Sequence, residues 1–252
     1  MKSYYDDEKF FYLHYWKDRG YEHQSEELVL KTILKNKKFK MAADIGGGYG
    51  RLAKVLANYA EVVTLVEPSS KQLNVSQKYL QGTKINTIQG TADKTGLADK
   101  SLDLVIMIRV MHHLPNPTSA LLELHRILKP NGTLILEFAN SLNFKSRLRS
   151  LFTGKPISLA PIDLRRAFNI KKNTIPFVNH HPETIKKQIT SVGFKLIKSY
   201  SVSNFRHPIF KKFLPKKILI LLEKVSQSLL APLYFGPSIF LVLKRLDTFA
   251  IL

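Results

Sequence analysis

Four glycines fall within five positions in Gly46-Gly47-Gly48-Tyr49-Gly50, and Asp44 stands two residues ahead of the first. Glycine permits positive φ and lets a ligand approach backbone N–H groups without meeting a Cβ. A strand, Met41 to Ile45, leads in, and an apolar helical face, Leu52, Val55, Leu56 and Tyr59, leads out. The turn therefore faces the positive end of a helix dipole and suits an anionic or carboxylate group. Glu67 follows Asp44 by 23 residues, at the end of the apolar run Val62 to Val66. A carboxylate so placed can accept two hydrogen bonds from a ribose diol. His112 and His113 follow a further apolar run, Leu102 to Ile108, and titrate near neutrality, as a general base must. The glycine spacing is not the dinucleotide fingerprint: counted from Gly46, its third small residue falls on Arg51.

Strands and helices must alternate to hold these groups. Glu61 to Glu67 is a continuous apolar run of the kind buried on both faces of a sheet. Pro68 breaks it, and Ser69 can cap the next helix. Lys84 to Gly90 alternates like a more exposed strand and runs into Thr91-Ala92-Asp93. Leu102 to Ile108 delivers Arg109, Val110, Met111 and the two histidines to the carboxyl edge of the sheet, where ligands of open α/β sheets bind. Asn116-Pro117 opens a helix that stops at Pro130-Asn131-Gly132, ahead of a fifth strand from Thr133 to Phe138. A helix from His181-Pro182-Glu183, a strand from Lys195 to Val202 and a last apolar strand from Ser238 to Leu243 complete the chain.

The pattern Asp44-x-Gly46-x-Gly48-x-Gly50 resembles motif I of the class I S-adenosylmethionine (SAM) dependent methyltransferases. The likeness continues through Glu67, Asp93, Leu102-Asp103-Leu104-Val105, His112-His113-Leu114 and Leu128-Lys129-Pro130-Asn131-Gly132. As an ensemble over roughly residues 40–140 it is similar to the small-molecule and quinone-biosynthesis type. The resemblance implies a Rossmann-like α/β fold: a seven-stranded, mainly parallel sheet with helices on both faces and an antiparallel last strand. It implies SAM as cofactor and S-adenosylhomocysteine as product. Asp44, Gly46 and Gly48 would hold the amino-acid end of SAM, Glu67 with Pro68 the ribose, and Asp93 with Ala92 the adenine. Arg109 would touch the cofactor edge or the substrate. The sulfonium activates its own leaving group, so the protein mainly aligns the reactants and excludes water. His113, with His112 beside it, is the candidate base for a poorly ionised acceptor; the pair could instead support the loop. His180 and His181 form a second candidate pair, and no metal is called for.

The domain reading is an N-terminal helical cap over 1–38, a SAM-binding core over 39–140, a lid or substrate insert over 141–180, and a C-terminal part of the core over 181–252. Tyr4, Tyr5, Phe10, Phe11, Tyr12, Tyr15, Trp16 and Tyr21 make the first segment aromatic. That face either lies on the core or covers the cofactor pocket, with Arg19 and Tyr21 as candidates for the pocket wall. The last segment carries a basic, apolar insert over 204–236. It suits a membrane interface, packing on the lid or a dimer contact.

The chain has 252 residues, a net charge of +20 and no cysteine, which excludes disulfides, thiolate metal sites and radical SAM chemistry. Residues 141–252 hold 20 Lys and Arg against 4 Asp and Glu. Such asymmetry points to an anionic partner, a membrane surface or nucleic acid. A methyltransferase acting on RNA is the alternative, as is a noncatalytic SAM-binding protein. Against RNA, Arg109-Val110-Met111-His112 stands where amino-directed nucleic-acid enzymes carry Asn/Asp-Pro-Pro-aromatic, and no appended RNA-binding module is evident. The N-terminus lacks the apolar core of a signal peptide, and the run Ile218 to Leu222 is far short of a bilayer span. The expectation is a cytoplasmic protein acting on a small or lipid-like acceptor, with membrane association one of the readings left open for its basic insert and its oligomeric state not legible.

Overall fold

A computed structural model describes residues 12–172 and 174–247. Tyr4, Tyr5, Phe10 and Phe11 lie outside the described residues, as does the side chain of Tyr12. The chain enters through α1 (Tyr12–Lys17) and α2 (Gly20–Leu34) and reaches β1 (Phe39–Ile45). Then come α3 (Ala53–Leu56), β2 (Ala60–Glu67), α4 (Ser70–Tyr79), β3 (Ile85–Gln89) and β4 (Leu102–Met107). One turn of 3-10 helix (Met111–His113) leads to α5 (Thr118–Ile127) and β5 (Leu128–Ala139).

These strands run in the order β3-β2-β1-β4-β5 and all pair in parallel. The sheet is extended by β9 (Ser238–Arg245), antiparallel to both its neighbours, and ends on β8 (Phe194–Val202). The seven-stranded, mainly parallel sheet with an antiparallel last strand is thus borne out. Its central strands are apolar at successive positions because both faces are covered. Side chains alternate across a strand, so Val105 and Met107 join the core under α5 while Leu104 and Ile106 join the core under α2 and α3.

Three local features depart from expectation. The helix after the glycine turn is only the four residues of α3. Positive φ at Gly46, Gly48 and Gly50 keeps the chain out of helical geometry up to that point, and β2 must begin at Ala60. No helix dipole of consequence therefore faces the turn, and the N–H groups of Gly46, Gly48 and Gly50 are themselves taken up by Val66, Glu67 and Gly47. Strand β5 begins earlier than Thr133. Leu128 pairs with Leu102 and Thr133 with Leu104, so Lys129 to Gly132 bulges between two paired stretches, with Asn131 at φ 58°.

The third departure is the order within 141–180. This segment contains α6 (Phe144–Thr153), α7 (Ala167–Lys171) and a two-stranded ribbon of β6 (Ile162–Asp163) with β7 (Val178–Asn179). Helix α6 is capped by the Asn143 side chain, which accepts from the Ser146 N–H, and ends on Gly154 in the left-handed region. After α8 (Pro182–Ser191) and β8, the 204–236 insert forms α9 (Pro208–Phe213) and α10 (Lys216–Leu229). Helix α10 packs on α2 and β8, while Phe235 of the same insert stacks on Phe144 of α6. No helix among the described residues is long and apolar enough to cross a membrane.

Candidate functional site

The parallel register sets Ile45 beside Val66 and Asp44 beside Ile106. The carboxyl ends of β1, β2 and β4 therefore share one edge, at the point where the strand order reverses. Gly46 donates its N–H to the Val66 carbonyl at 2.7 Å, which holds the glycine turn against β2. A Cβ at Gly46 would lie 2.4 Å from Val110 Cγ2, and one at Gly47 would lie 2.4 Å from Asp44 Oδ2. The turn is glycine because its backbone lies where a side chain would stand. Glu67 accepts from the Gly48 N–H through Oε2 at 2.9 Å and from the Ser69 N–H through Oε1 at 3.0 Å. It thereby links the tip of the turn to the start of α4. A carboxylate offers about four lone-pair sites, the chemistry a vicinal diol requires.

Asp44 is buried beneath this turn, and its Oδ2 has no hydrogen-bond partner among the described residues. Burial pushes its carboxyl up to about 7, against the pull of Arg51 and a backbone hydrogen bond from Ala53. An unsatisfied buried acid is costly unless a donor or a cation completes it. A buried carboxylate with one oxygen unpaired beneath the glycine turn, with a second carboxylate across it, fits a ligand that carries an ammonium at one end and a ribose further along. These two acceptors thus suit SAM.

Glu26 of α2 was not singled out by sequence, yet it organises this edge. Fully buried, it accepts from Arg51 Nη2 at 2.6 Å on one oxygen and from Arg109 Nε at 2.6 Å on the other. Burial pushes its carboxyl up, but Arg109 and Arg51 together hold it below the ordinary range. Arg51 also donates to His23 Nδ1 at 2.6 Å, and its guanidinium lies 3.7 Å from the Trp16 ring centre. The Arg109 N–H donates to Glu137 Oε2 at 2.9 Å, and Ser238 Oγ donates to the other oxygen of Glu137. Arg109 takes φ 64°, an unfavourable value for a side chain with a Cβ. Its guanidinium is directed to Glu26, and that ion pair ties α2 to the loop after β4.

The other predicted residues spread along the same edge. Pro68 is half-buried and its carbonyl accepts from Gln89 Nε2, while Ala92 packs against the core. Asp93 sits exposed in the turn closed by Thr91 and Lys94. His113 donates from Nδ1 to the Pro176 carbonyl at 2.8 Å, so the neutral ring carries its lone pair on Nε2. The His112 and His113 ring centres are 4.0 Å apart, and Phe177 lies 4.8 Å from His112. Burial lowers the pKa of both, and for His112 the neighbouring His113 and Arg109 add to it. His180 donates from Nε2 to the Met111 carbonyl at 2.9 Å, and His181 caps α8 by accepting from the Glu183 N–H. Tyr21 turns away from the edge and donates to Glu223 Oε2 at 2.6 Å, and Arg19 lies over the Tyr15 ring. No group of three or more His, Asp or Glu able to hold a metal occurs among the described residues.

Residues 43–136 match the family model described as a methyltransferase domain. A ubiquinone biosynthesis O-methyltransferase of Vibrio atlanticus is 30% identical over 132 residues, spanning 50% of this chain and 55% of that relative. A ubiquinone/menaquinone biosynthesis C-methyltransferase of Blochmanniella pennsylvanica is 24% identical over 171 residues, or 64% of this chain and 67% of the relative. The chain thus spans little more than half the length of the Vibrio relative. Among solved structures, a SAM-dependent methyltransferase of Thermotoga maritima superposes with a TM-score of 0.60 at 20% identity, covering 93% of each chain. One from Mesorhizobium loti gives 0.62 at 15% identity over 88% of this chain and 98% of its own.

Proposed function

We propose that this protein transfers a methyl group from SAM to a small, quinone-like or lipid-like acceptor, a reading supported by the match of residues 43–136 to a methyltransferase-domain model and by the fold shared with a SAM-dependent methyltransferase. When bound, SAM supplies an electrophilic methyl group on a sulfonium. The observation that carries the proposal is the buried, unpartnered Asp44 Oδ2 beneath the Gly46–Gly50 turn, with Glu67 across from it. In this reading Asp44 takes the ammonium of the methionyl end and Glu67 the ribose hydroxyls. Gly46 and Gly48 bring the backbone close, Pro68 and Ala92 line the nucleoside, and Asp93 accepts from the adenine amino group. Arg109 acts as a positioning residue through Glu26.

His113 is the base in this proposal. Held by the Pro176 carbonyl at Nδ1, it takes the acceptor proton at Nε2, and its lowered pKa keeps the ring neutral at physiological pH. His112, packed between His113 and Phe177, keeps it in place. The lid, over 141–180, is fastened at its end: the His180 N–H donates to the Ala139 carbonyl and the Ser141 N–H to the His180 carbonyl. Its Phe177 covers the histidines and excludes water from the acceptor side. The quinone-like acceptor class is supported by the relatives' names. The RNA alternative has no comparable support.

Incubation with methyl-labelled SAM and a panel of hydroxylated aromatic and prenylated quinone precursors tests this. Label in an organic-extractable product, lost with His113→Ala, is expected. Label appearing only in RNA, or no binding of SAM at all, would overturn the proposal.

A further inference from the structure

Of the 21 large apolar side chains exposed among the described residues, 19 lie from Phe144 to Leu233. Exposed apolar residues scattered singly are ordinary, but a contiguous surface of them marks a contact site. Helix α10 is built inside out. Its inward face carries Leu219, Glu223, Ser226 and Gln227. Glu223 is hydrogen-bonded by Tyr21 and by the Ser203 and Asn204 N–H groups, and Gln227 donates to the Ser25 carbonyl. Its outward face is a stripe of Ile218, Leu221, Leu222, Val225 and Leu229, with Val225 64% and Leu229 69% exposed. This i, i+3, i+4, i+7 spacing is what a helix normally turns to a core.

Helix α6 repeats the arrangement. None of its residues is buried, and Phe144, Leu148, Leu151 and Phe152 form a stripe in which Leu151 is 78% and Phe152 81% exposed. The two regions adjoin. Phe144 stacks on Phe235 with ring centres 4.9 Å apart, and Arg147 Nη2 donates to the Leu233 carbonyl at 2.6 Å. Cations surround the stripes: Lys145, Arg147 and Arg149 on α6, and Lys211, Lys212, Lys216 and Lys217 on α9 and α10. The sole acidic residue of α9 and α10, Glu223, is spent internally.

We propose that the exposed faces of α6, α9 and α10 form a docking surface for an anionic lipid bilayer, with the leucine and phenylalanine side chains among the acyl chains and the lysines at the phosphates. Apolar protrusions flanked by Lys and Arg are the features that bind such an interface. Nucleic acid would engage the cations and leave the stripes in water. The lid joins this surface to the site, because the 141–180 segment carries both the exposed Leu151 and Phe152 of α6 and the Phe177 that touches His112. An acceptor dissolved in the bilayer would then reach the histidines without crossing water, so the surface deepens the lipid-like version of the proposed function.

Flotation with vesicles of phosphatidylcholine, alone and mixed with phosphatidylglycerol, tests the surface, with SAM affinity measured in parallel so that failure of docking and failure of the cofactor reading are separate results. Partition onto the mixed vesicles is expected, weakening in high salt and falling roughly tenfold or more in Val225→Glu/Leu229→Glu and in Leu151→Glu/Phe152→Glu. SAM affinity and melting temperature should be unchanged in both variants, since these side chains face solvent. Absence of the full chain from the anionic vesicles, or partition unaffected by the substitutions, would overturn the proposal. So would light scattering that shows these stripes buried between two copies of the chain, or an RNA mobility shift in place of vesicle binding.

Discussion

The acidity of Asp44 gives the most exacting prediction. Burial raises its carboxyl to about 7. If the ammonium of SAM binds the ionised form, affinity follows the ionised fraction. Each pH unit below about 7 then weakens binding close to tenfold, or about 1.4 kcal/mol, and releases one proton per SAM bound. The useful window is roughly pH 5 to 7, because an α-amino group begins to lose its own proton near 8. Titration calorimetry in buffers of different ionisation enthalpy reads both the slope and the proton count. Asp44→Asn should bind SAM weakly and with no such slope. The sign for stability is opposite. A carboxyl whose folded pKa is raised holds its proton longer in the native state, so ligand-free stability falls as pH rises from the ordinary carboxylate range towards 7. Asp44→Asn should therefore be more stable than the wild type at neutral pH, by at most about 4 kcal/mol. A wild-type affinity flat across the window, or a slope that survives Asp44→Asn, would refute the reasoning.

Four further outcomes follow from named contacts. Glu26→Ala strands Arg51 and Arg109 without their buried partner and should cost about 3–5 kcal/mol in urea unfolding; a cost within experimental error would remove Glu26 as the organiser of the edge. Gly46→Ala places a Cβ against Val110 at φ 68° and should lower stability by about 1–3 kcal/mol and weaken SAM binding, read by melting and calorimetry. Glu67→Gln should weaken SAM binding by about 1–3 kcal/mol, with an unchanged affinity freeing Glu67 from the ribose. His113→Ala should reduce kcat about a hundredfold or more with SAM affinity preserved; a loss of SAM affinity with unchanged kcat would make the histidine a support for the loop.

The sheet was legible because β1, β2 and β4 are buried on both faces, and a continuous apolar run ending in a polar residue marks such a strand. Asp44 and Glu67 could be placed because each closes one of those runs. Glu26 could not. A glutamate on a helix ordinarily faces water, and its partners lie 25 and 83 residues away, so nothing local distinguishes it from Glu27. The turn chemistry of Pro130-Asn131-Gly132 predicts a strand β5 that starts only at Thr133, whereas in the sheet those residues bulge between paired stretches. Within 141–180, the Asn143 cap and Gly154 stop were readable signals of α6. They were masked because the apolar stripe between them meets no core. Helix α10 misleads for the same reason, since its apolar residues face outward while Glu223 and Gln227 make the internal contacts.

Crystals grown with S-adenosylhomocysteine examine the central claim directly. The account predicts its ammonium beside Asp44 and its ribose hydroxyls on Glu67, with the backbone of Gly46 and Gly48 against the chain between them. A vacant turn in the presence of saturating ligand, or a pyrophosphate seated on the Gly46–Gly50 N–H groups, would contradict it.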